Sequence, residues 1–265
     1  MIKKTDIELY IDKIPPTPQV IKNILHLLQH GDLVLASMEA QKDLALTAYL
    51  KNFVNKPIYG FRYKIENISQ IFTALGISSI EQIIYNYMTN LLSPDEWYFF
   101  KLNKITFQNL QTELSVNWKK ILNYLNIKNR NIENSITLLP ACFIVTEAIF
   151  KQKKDDIIQL RSVQNIDLNT ILKRLTTYNI FDISQQISKK WDMPKIIGQI
   201  VKASSGDQKN DNQKIDLLGK WMHLLLFYTL SKKQFIEAEL NDFIDFNINY
   251  VSPIYDEFAT LMDIK

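Results

Sequence analysis

The sequence predicts an all-α fold, a compact multi-helix bundle, and three observations carry that prediction. Apolar residues recur at a period near 3.6, the ends of those segments carry capping residues, and no segment alternates with period two between hairpin turns. Thr17-Pro18 opens the first clear helix, with threonine as N-cap and proline at the first helical position, where its missing N–H costs nothing. That helix carries Val20, Ile24, Leu27 and Leu28 on one side and stops at Gly31. Asp43 starts another, striped by Leu46, Leu50, Phe53 and Val54. Asn67 caps a short helix that ends at Leu75-Gly76, and Ser78 with Glu81 forms a capping box for the next. Ser93-Pro94 with Glu96 repeats the device, and Ser252-Pro253 opens the last helix. Between them, helices are expected over 106–125, 134–150, 167–178, 182–191, 194–204, 214–230 and 235–248. The polar stretch Ser204 to Lys214 is the clearest loop.

Composition narrows the function. At 265 residues the chain has room for one to two domains of ~150 residues. With 46% hydrophobic and 22% charged residues it is an ordinary globular chain. Thirty-one basic residues against twenty-eight acidic leave a net charge of +3, too little to mark a nucleic-acid or membrane partner. Lysine outnumbers arginine twenty-seven to four, so few guanidinium forks are available to grip phosphate or guanine. One cysteine excludes an internal disulfide framework and a cysteine-cage zinc site. The N-terminus lacks the apolar stretch of a signal peptide, and Trp221–Leu230 falls short of the ~20 residues that cross a bilayer, so a cytoplasmic location is expected. No Gly-x-Gly-x-x-Gly, no Gly-x-x-x-x-Gly-Lys and no Gly-x-Ser-x-Gly is present; each chemistry needs the tight backbone that glycine permits.

Four features occur in order within the first ninety residues: Ile14-Pro15-Pro16-Thr17-Pro18 before a helix, Asp43 through Leu50 ending in Asn55, the aromatic loop Pro57-Ile58-Tyr59-Gly60, and Ile68 through Ala74-Leu75-Gly76. Together they resemble the bacterial HDOD family, the HD-related output domain. Its members open on Leu-Pro-x-Leu-Pro, continue with an Asp-Pro-x-Leu helix leading to Asn-Ser, and close an aliphatic helix on Leu-Gly. Trp191-Asp192-Met193-Pro194 is similar to the family's Trp-x-x-Pro step between two helices. Leu44, Lys56 and Thr17 depart from the pattern at helix boundaries, where alternatives cap adequately. Residues 1–265 are expected to form one all-helical domain, matched best over 14–92, more faintly over 134–230, with further helices over 231–265. The resemblance assigns structural roles to Pro16, Pro18, Asp43, Asn55, Gly76, Trp191 and Pro194.

The family is similar to metal-dependent HD phosphohydrolases, in which clustered imidazole and carboxylate ligands hold a divalent ion that activates water. Where many members keep Leu-Leu-His-Asp-x-Gly, this chain has Leu138-Leu139-Pro140-Ala141-Cys142-Phe143, so Pro140 and Ala141 stand at the dyad. Lys202-Ala203-Ser204 replaces a further histidine pair after the Trp-x-x-Pro step. The resemblance therefore implies neither catalytic residues nor a metal or other cofactor.

The remaining candidates have bland readings. His26 and His30 stand one helical turn apart, but His30, just before Gly31, suits the negative end of its helix. His223, among Trp221, Met222 and Leu224, is expected to be a hydrogen-bonded core residue. Cys142 has apolar neighbours that suppress the thiolate. Asp155-Asp156 and Glu237 with Glu239 read as solvated faces, and Asn55 as a helix end that ties down the next loop. Lys56 to Lys64 mixes cations with aromatics, including Tyr59 and Arg62; it reads as a loop whose rings plug the core, or as an interaction site for bases or phosphates. Trp97-Tyr98-Phe99-Phe100 reads as a buried helix or as a docking patch built on Trp97 and Phe100. The expectation is a non-catalytic signal-transduction module that binds an unidentified protein partner or a small regulatory ligand. Its alternatives are a diverged HD-type phosphohydrolase and a nucleotide-sensing regulator.

Overall fold

The computed structural model describes residues 3–164, 166–207, 210–243 and 246–264. Among them every regular element is helical. The chain forms two compact units: Pro15–Leu91, and Met1–Ile14 together with Leu92–Lys265.

Helix α1 (Lys4–Asp12) belongs to the larger unit and is not anticipated by the periodicity reading. The smaller unit contains α2 (Gln19–Gln29), α3 (Leu33–Ala40), α4 (Leu44–Val54) and α5 (Ile68–Leu91). Pro18, rather than Thr17, is the N-cap of α2; its φ of −56° and ψ of 147° turn the chain in, and its carbonyl accepts the first helical bond from Lys22. The helix ends on Gly31 in the left-handed region (φ 81°), where Gly31 N–H bonds the Leu28 carbonyl and Asp32 N–H that of Leu27. Asp32 at once caps α3, a helix too short to show a period in sequence. Asp43 caps α4 through the Leu46 N–H at 3.0 Å, as expected.

Asn55 then takes up the next loop. Its amide nitrogen reaches the carbonyls of Lys51 (2.8 Å) and Ile65 (2.9 Å), while its oxygen accepts the Ile65 N–H (2.8 Å). Residues 56–64 are thus tied at both ends by one side chain. Of their aromatics only Tyr59 packs inward, 5.6 Å from Phe53; Tyr63 is 85% exposed, which corrects the expectation that the rings all plug the core. α5 is two helices on either side of Gly76, whose φ of 73° and ψ of 173° belong to a region open essentially to glycine alone.

The larger unit continues with α6 (Lys104–Tyr124), α7 (Arg130–Asn134), α8 (Ala141–Gln152), α9 (Lys154–Gln164), α10 (Leu168–Thr176), α11 (Ile180–Lys190), α12 (Lys195–Ala203) and α13 (Gln213–Leu230). Shorter helices α14 (Lys233–Ile236), α15 (Ile248–Val251) and α16 (Tyr255–Leu261) close it. Asn103, Asp167, Asn179 and Asn212 cap α6, α10, α11 and α13 through backbone N–H groups. The expected helix over 134–150 is broken: a 3₁₀ turn covers Ser135–Leu138 and Pro140 sits at the N-cap of α8. The helix expected over 235–248 is likewise replaced by α14 and a 3₁₀ turn at Leu240–Phe243; residues 244 and 245 lie outside the described residues, as do 208 and 209 of the expected Ser204–Lys214 loop.

Trp191 and Pro194 mark the corner between α11 and α12. Trp191 is the C-cap, Asp192 adopts a left-handed φ of 51°, and Met193 N–H returns to the Ser188 carbonyl. Gly198 lets the two helices cross closely, since a Cβ there would stand 2.6 Å from Ser188 Oγ. The stretch Arg130–Gln152 is long and apolar enough to span a membrane, but 89% of its most apolar window is buried inside the protein, as expected of a core segment.

Gly76→Ala should lower unfolding free energy by about 1–3 kcal/mol, because the space around the new Cβ is open and the whole effect is backbone strain. Chemical denaturation measures it; a variant as stable as the parent would mean the kink relaxes freely.

Candidate functional site

Pro140 and Ala141, set by resemblance at the family's metal-binding dyad, are buried at the start of α8. Cys142 beside them is fully buried; desolvation drives its thiol far above the usual range, only partly offset by a hydrogen bond with Ser184. None of these side chains offers a metal a ligand at neutral pH, since a thiol so suppressed stays protonated.

The three histidines do not converge. His26 and His30 lie exposed on α2 with ring centroids 4.4 Å apart, and His30 Nδ1 bonds the His26 carbonyl at 2.8 Å, a helix-end interaction. His223 is buried in α13, in the other unit. Its Nδ1 lies 2.8 Å from the Ser204 carbonyl, and its Nε2 receives the Asn247 N–H at 3.2 Å. Among the described residues no three His, Cys, Asp or Glu side chains are placed to hold an ion. The described residues do not bring together the ligand set that an HD hydrolytic site requires.

A different centre emerges in the larger unit. Ser93-Pro94-Glu96 starts no helix; residues 92–103 form an irregular strap. The cause is Glu147 of α8, 1% exposed, whose carboxylate collects consecutive backbone N–H groups. Tyr98 donates to Oε1 at 2.5 Å, Phe99 to Oε1 at 3.2 Å and Oε2 at 3.0 Å, and Phe100 to Oε2 at 3.2 Å. A helical 97–100 would turn those N–H groups along its own axis, so the buried charge and the predicted helix exclude one another. Phe100 is fully buried against Phe143, with ring centroids 5.7 Å apart, which removes it from the docking patch expected for it. Trp97 packs half-buried against Phe107. Tyr98 remains 45% exposed, with the Lys154 ammonium 4.4 Å from its ring centroid.

The strap borders two open clefts. One, of about 410 Å³, lies between Pro94 and Glu96 and the α8 residues Glu147 and Lys151. The other, of about 570 Å³, is floored by Tyr98, Phe99 and Ile157 and edged by Lys101, Arg161 and Glu239. Arg161 bridges Glu239 (3.1 Å) and Asp242 (3.0 Å), and Lys101 reaches Glu239 at 2.9 Å. The hydrogen bond from Lys101, with help from Arg161, lowers the Glu239 carboxyl. Burial raises that of Asp242, with Arg161 opposing. Of these residues, Glu147, Arg161 and Asp242 were not singled out from sequence. A signal existed for Glu147, the one charged residue between Leu138 and Phe150.

The family model for the HDOD domain matches residues 14–205, well over half of the chain. This chain belongs to the HDOD family. The HDOD chain resembles a solved HDOD domain protein of unknown function from Geobacter sulfurreducens, with a TM-score of 0.66 at 14% identity over 98% of this chain and 96% of that one. It also resembles a "Putative phosphohydrolase" of Shewanella amazonensis SB2B, with a TM-score of 0.62 at 12% identity over 97% and 96% of the two chains. A "Putative metal-dependent phosphohydrolase" of the same organism aligns with a TM-score of 0.51 at 12% identity over 90% and 98%. At these identities the likeness is one of fold. No curated protein matches the chain.

Two expectations follow for the HDOD chain. Glu147→Ala should cost about 3 kcal/mol or more, because it strands several buried N–H donors at roughly 1–3 kcal/mol each. Hydrogen exchange at Tyr98–Phe100 should accelerate with it, and unchanged protection there would refute the anchoring role. Cys142 should resist an aromatic disulfide reagent in the native protein and react at once in denaturant; rapid native labelling would show that the core at α8 opens.

Proposed function

We propose that this HDOD chain is a non-catalytic recognition module of bacterial signal transduction, acting in the cytoplasm by binding a protein partner or a small regulatory ligand. The observation that carries the reading is the donor set: Pro140 and Ala141 are buried where the resemblance sets the ligand dyad, and no three ligand side chains converge among the described residues. Without a held ion there is nothing to lower the pKa of a water molecule for attack on a phosphoester. His223, the one buried imidazole, has both nitrogens engaged by the backbone and is no free base. What the larger unit does offer is concavity. The clefts beside the strap combine an apolar floor with a few fixed charges, a composition suited to recognition.

Protein purified without chelator should carry less than stoichiometric transition metal, and should turn over neither phosphomonoester nor phosphodiester substrates when Mg²⁺ or Mn²⁺ is supplied. Elemental analysis and a chromogenic phosphoester assay read the two outcomes. A full equivalent of bound metal accompanied by turnover would establish the diverged phosphohydrolase instead.

A further inference from the structure

The end of α2 brings two imidazoles together in solvent. His26 lies in the last turn and His30 at the C-cap, both exposed, with ring centroids 4.4 Å apart and planes tilted by 44°. Side chains four residues apart on a helix stand over one another, so the pair shares one face. His30 is held from behind: its Nδ1 lies 2.8 Å from the His26 carbonyl. A carbonyl oxygen only accepts, so Nδ1 carries the hydrogen and Nε2 presents its lone pair away from the backbone. A carbonyl bonded to the rear nitrogen is how metal-ligating histidines have their tautomer and ring orientation fixed.

The spacing of the rings bears on which ion would suit them. Two imidazoles bound through nitrogen at about 2.0 Å have centroids about 4.5 Å apart when the ligand angle is ~90°, and about 5.2 Å apart at the tetrahedral angle. The 4.4 Å found here fits the right angle. Square-planar, tetragonal and octahedral ions offer such positions, which favours Cu²⁺ and Ni²⁺ over tetrahedral Zn²⁺. The helix adds to the attraction, because its terminal carbonyls place partial negative charge at this end. We propose that His26 and His30 form a two-point chelate for a divalent transition-metal ion with right-angled positions, Cu²⁺ first and Ni²⁺ second.

The acids of the adjoining α3 are committed elsewhere. Asp32 caps that helix through the Leu35 N–H at 2.8 Å, and Glu39 takes the Lys42 ammonium and the Asn23 amide. The ion would therefore keep water at its other positions, and two protein ligands hold it loosely enough to be lost during purification. The chelate belongs to α2 of the smaller unit, whereas Pro140 and Ala141 belong to the larger one. It is thus separate from the hydrolytic dyad and does not rest on the recognition reading above.

Calorimetric titration of the full chain with Cu²⁺, Ni²⁺ and Zn²⁺ salts, at about pH 7.5 in a buffer that does not bind metals, tests the site. One equivalent of Cu²⁺ should bind, Ni²⁺ more weakly and Zn²⁺ most weakly. His26→Ala and His30→Ala should each weaken Cu²⁺ binding by roughly tenfold or more, because the second ligand of a chelate acts at high effective concentration. His26→Ala keeps the backbone carbonyl that His30 bonds, so its effect reports the lost ligand and not a disturbed helix end. Zn²⁺ held more tightly than Ni²⁺, unchanged affinity in either variant, or two independent sites of which each variant removes one would overturn the proposal. Electron paramagnetic resonance of the Cu²⁺ complex of the unmodified protein decides without any variant. Superhyperfine coupling to two imidazole nitrogens supports the chelate, and coupling to a single one ends it.

Discussion

A carboxylate inside a protein must be matched by donors, and Glu147 meets that demand by shaping the chain around it. Three successive backbone N–H groups of the strap supply them, those of Tyr98, Phe99 and Phe100. Amides that would otherwise seek helical partners are spent on the charge, so residues 97–100 run irregularly and carry Tyr98 and Phe99 into the wall of one cleft and Pro94 and Glu96 into the wall of the other. Phe100 is drawn inward against Phe143, and the chain reaches the Asn103 cap of α6 from that fixed point. One side chain on α8 thus shapes the walls of both clefts that border the strap.

The same helix begins at the residues that the sequence resemblance sets opposite the family's ligand dyad. Burying Pro140, Ala141 and Cys142 contributes packing in place of chemistry, and the burial that excludes water also suppresses the thiolate. The fold shared with proteins described as phosphohydrolases is therefore compatible with a different use, since a fold holds a site without determining it. His223 illustrates the point from the other side. It is a buried imidazole of the sort a catalytic site could employ, yet both nitrogens serve backbone groups.

Local order was legible wherever a side chain speaks to its own neighbours. Asp43 announced α4, and Asn55 announced both a helix end and the tie on the following loop, because short polar side chains bond backbone groups only a few residues away or across one short loop. Gly31 and Gly76 marked the positions that need positive φ. The same local signals misled at Ser93-Pro94-Glu96, where a good capping pattern lost to a buried charge about fifty residues further along the chain. Helices α1 and α9 went unread because strongly charged segments carry few apolar positions to show a period, and α3 because its eight residues are apolar nearly all round.

By itself, then, the sequence determined the helical class, the family and most caps, all of which depend on residue type and on spacings within a turn or two. Only the tertiary structure decided that Glu147 anchors the strap, that Arg161 joins Glu239 to Asp242, and that His223 holds the returning Phe246–Val251 segment. Those bonds join groups far apart along the chain, and which distant donor meets which acceptor is fixed by how the helices pack, a property that no local pattern encodes.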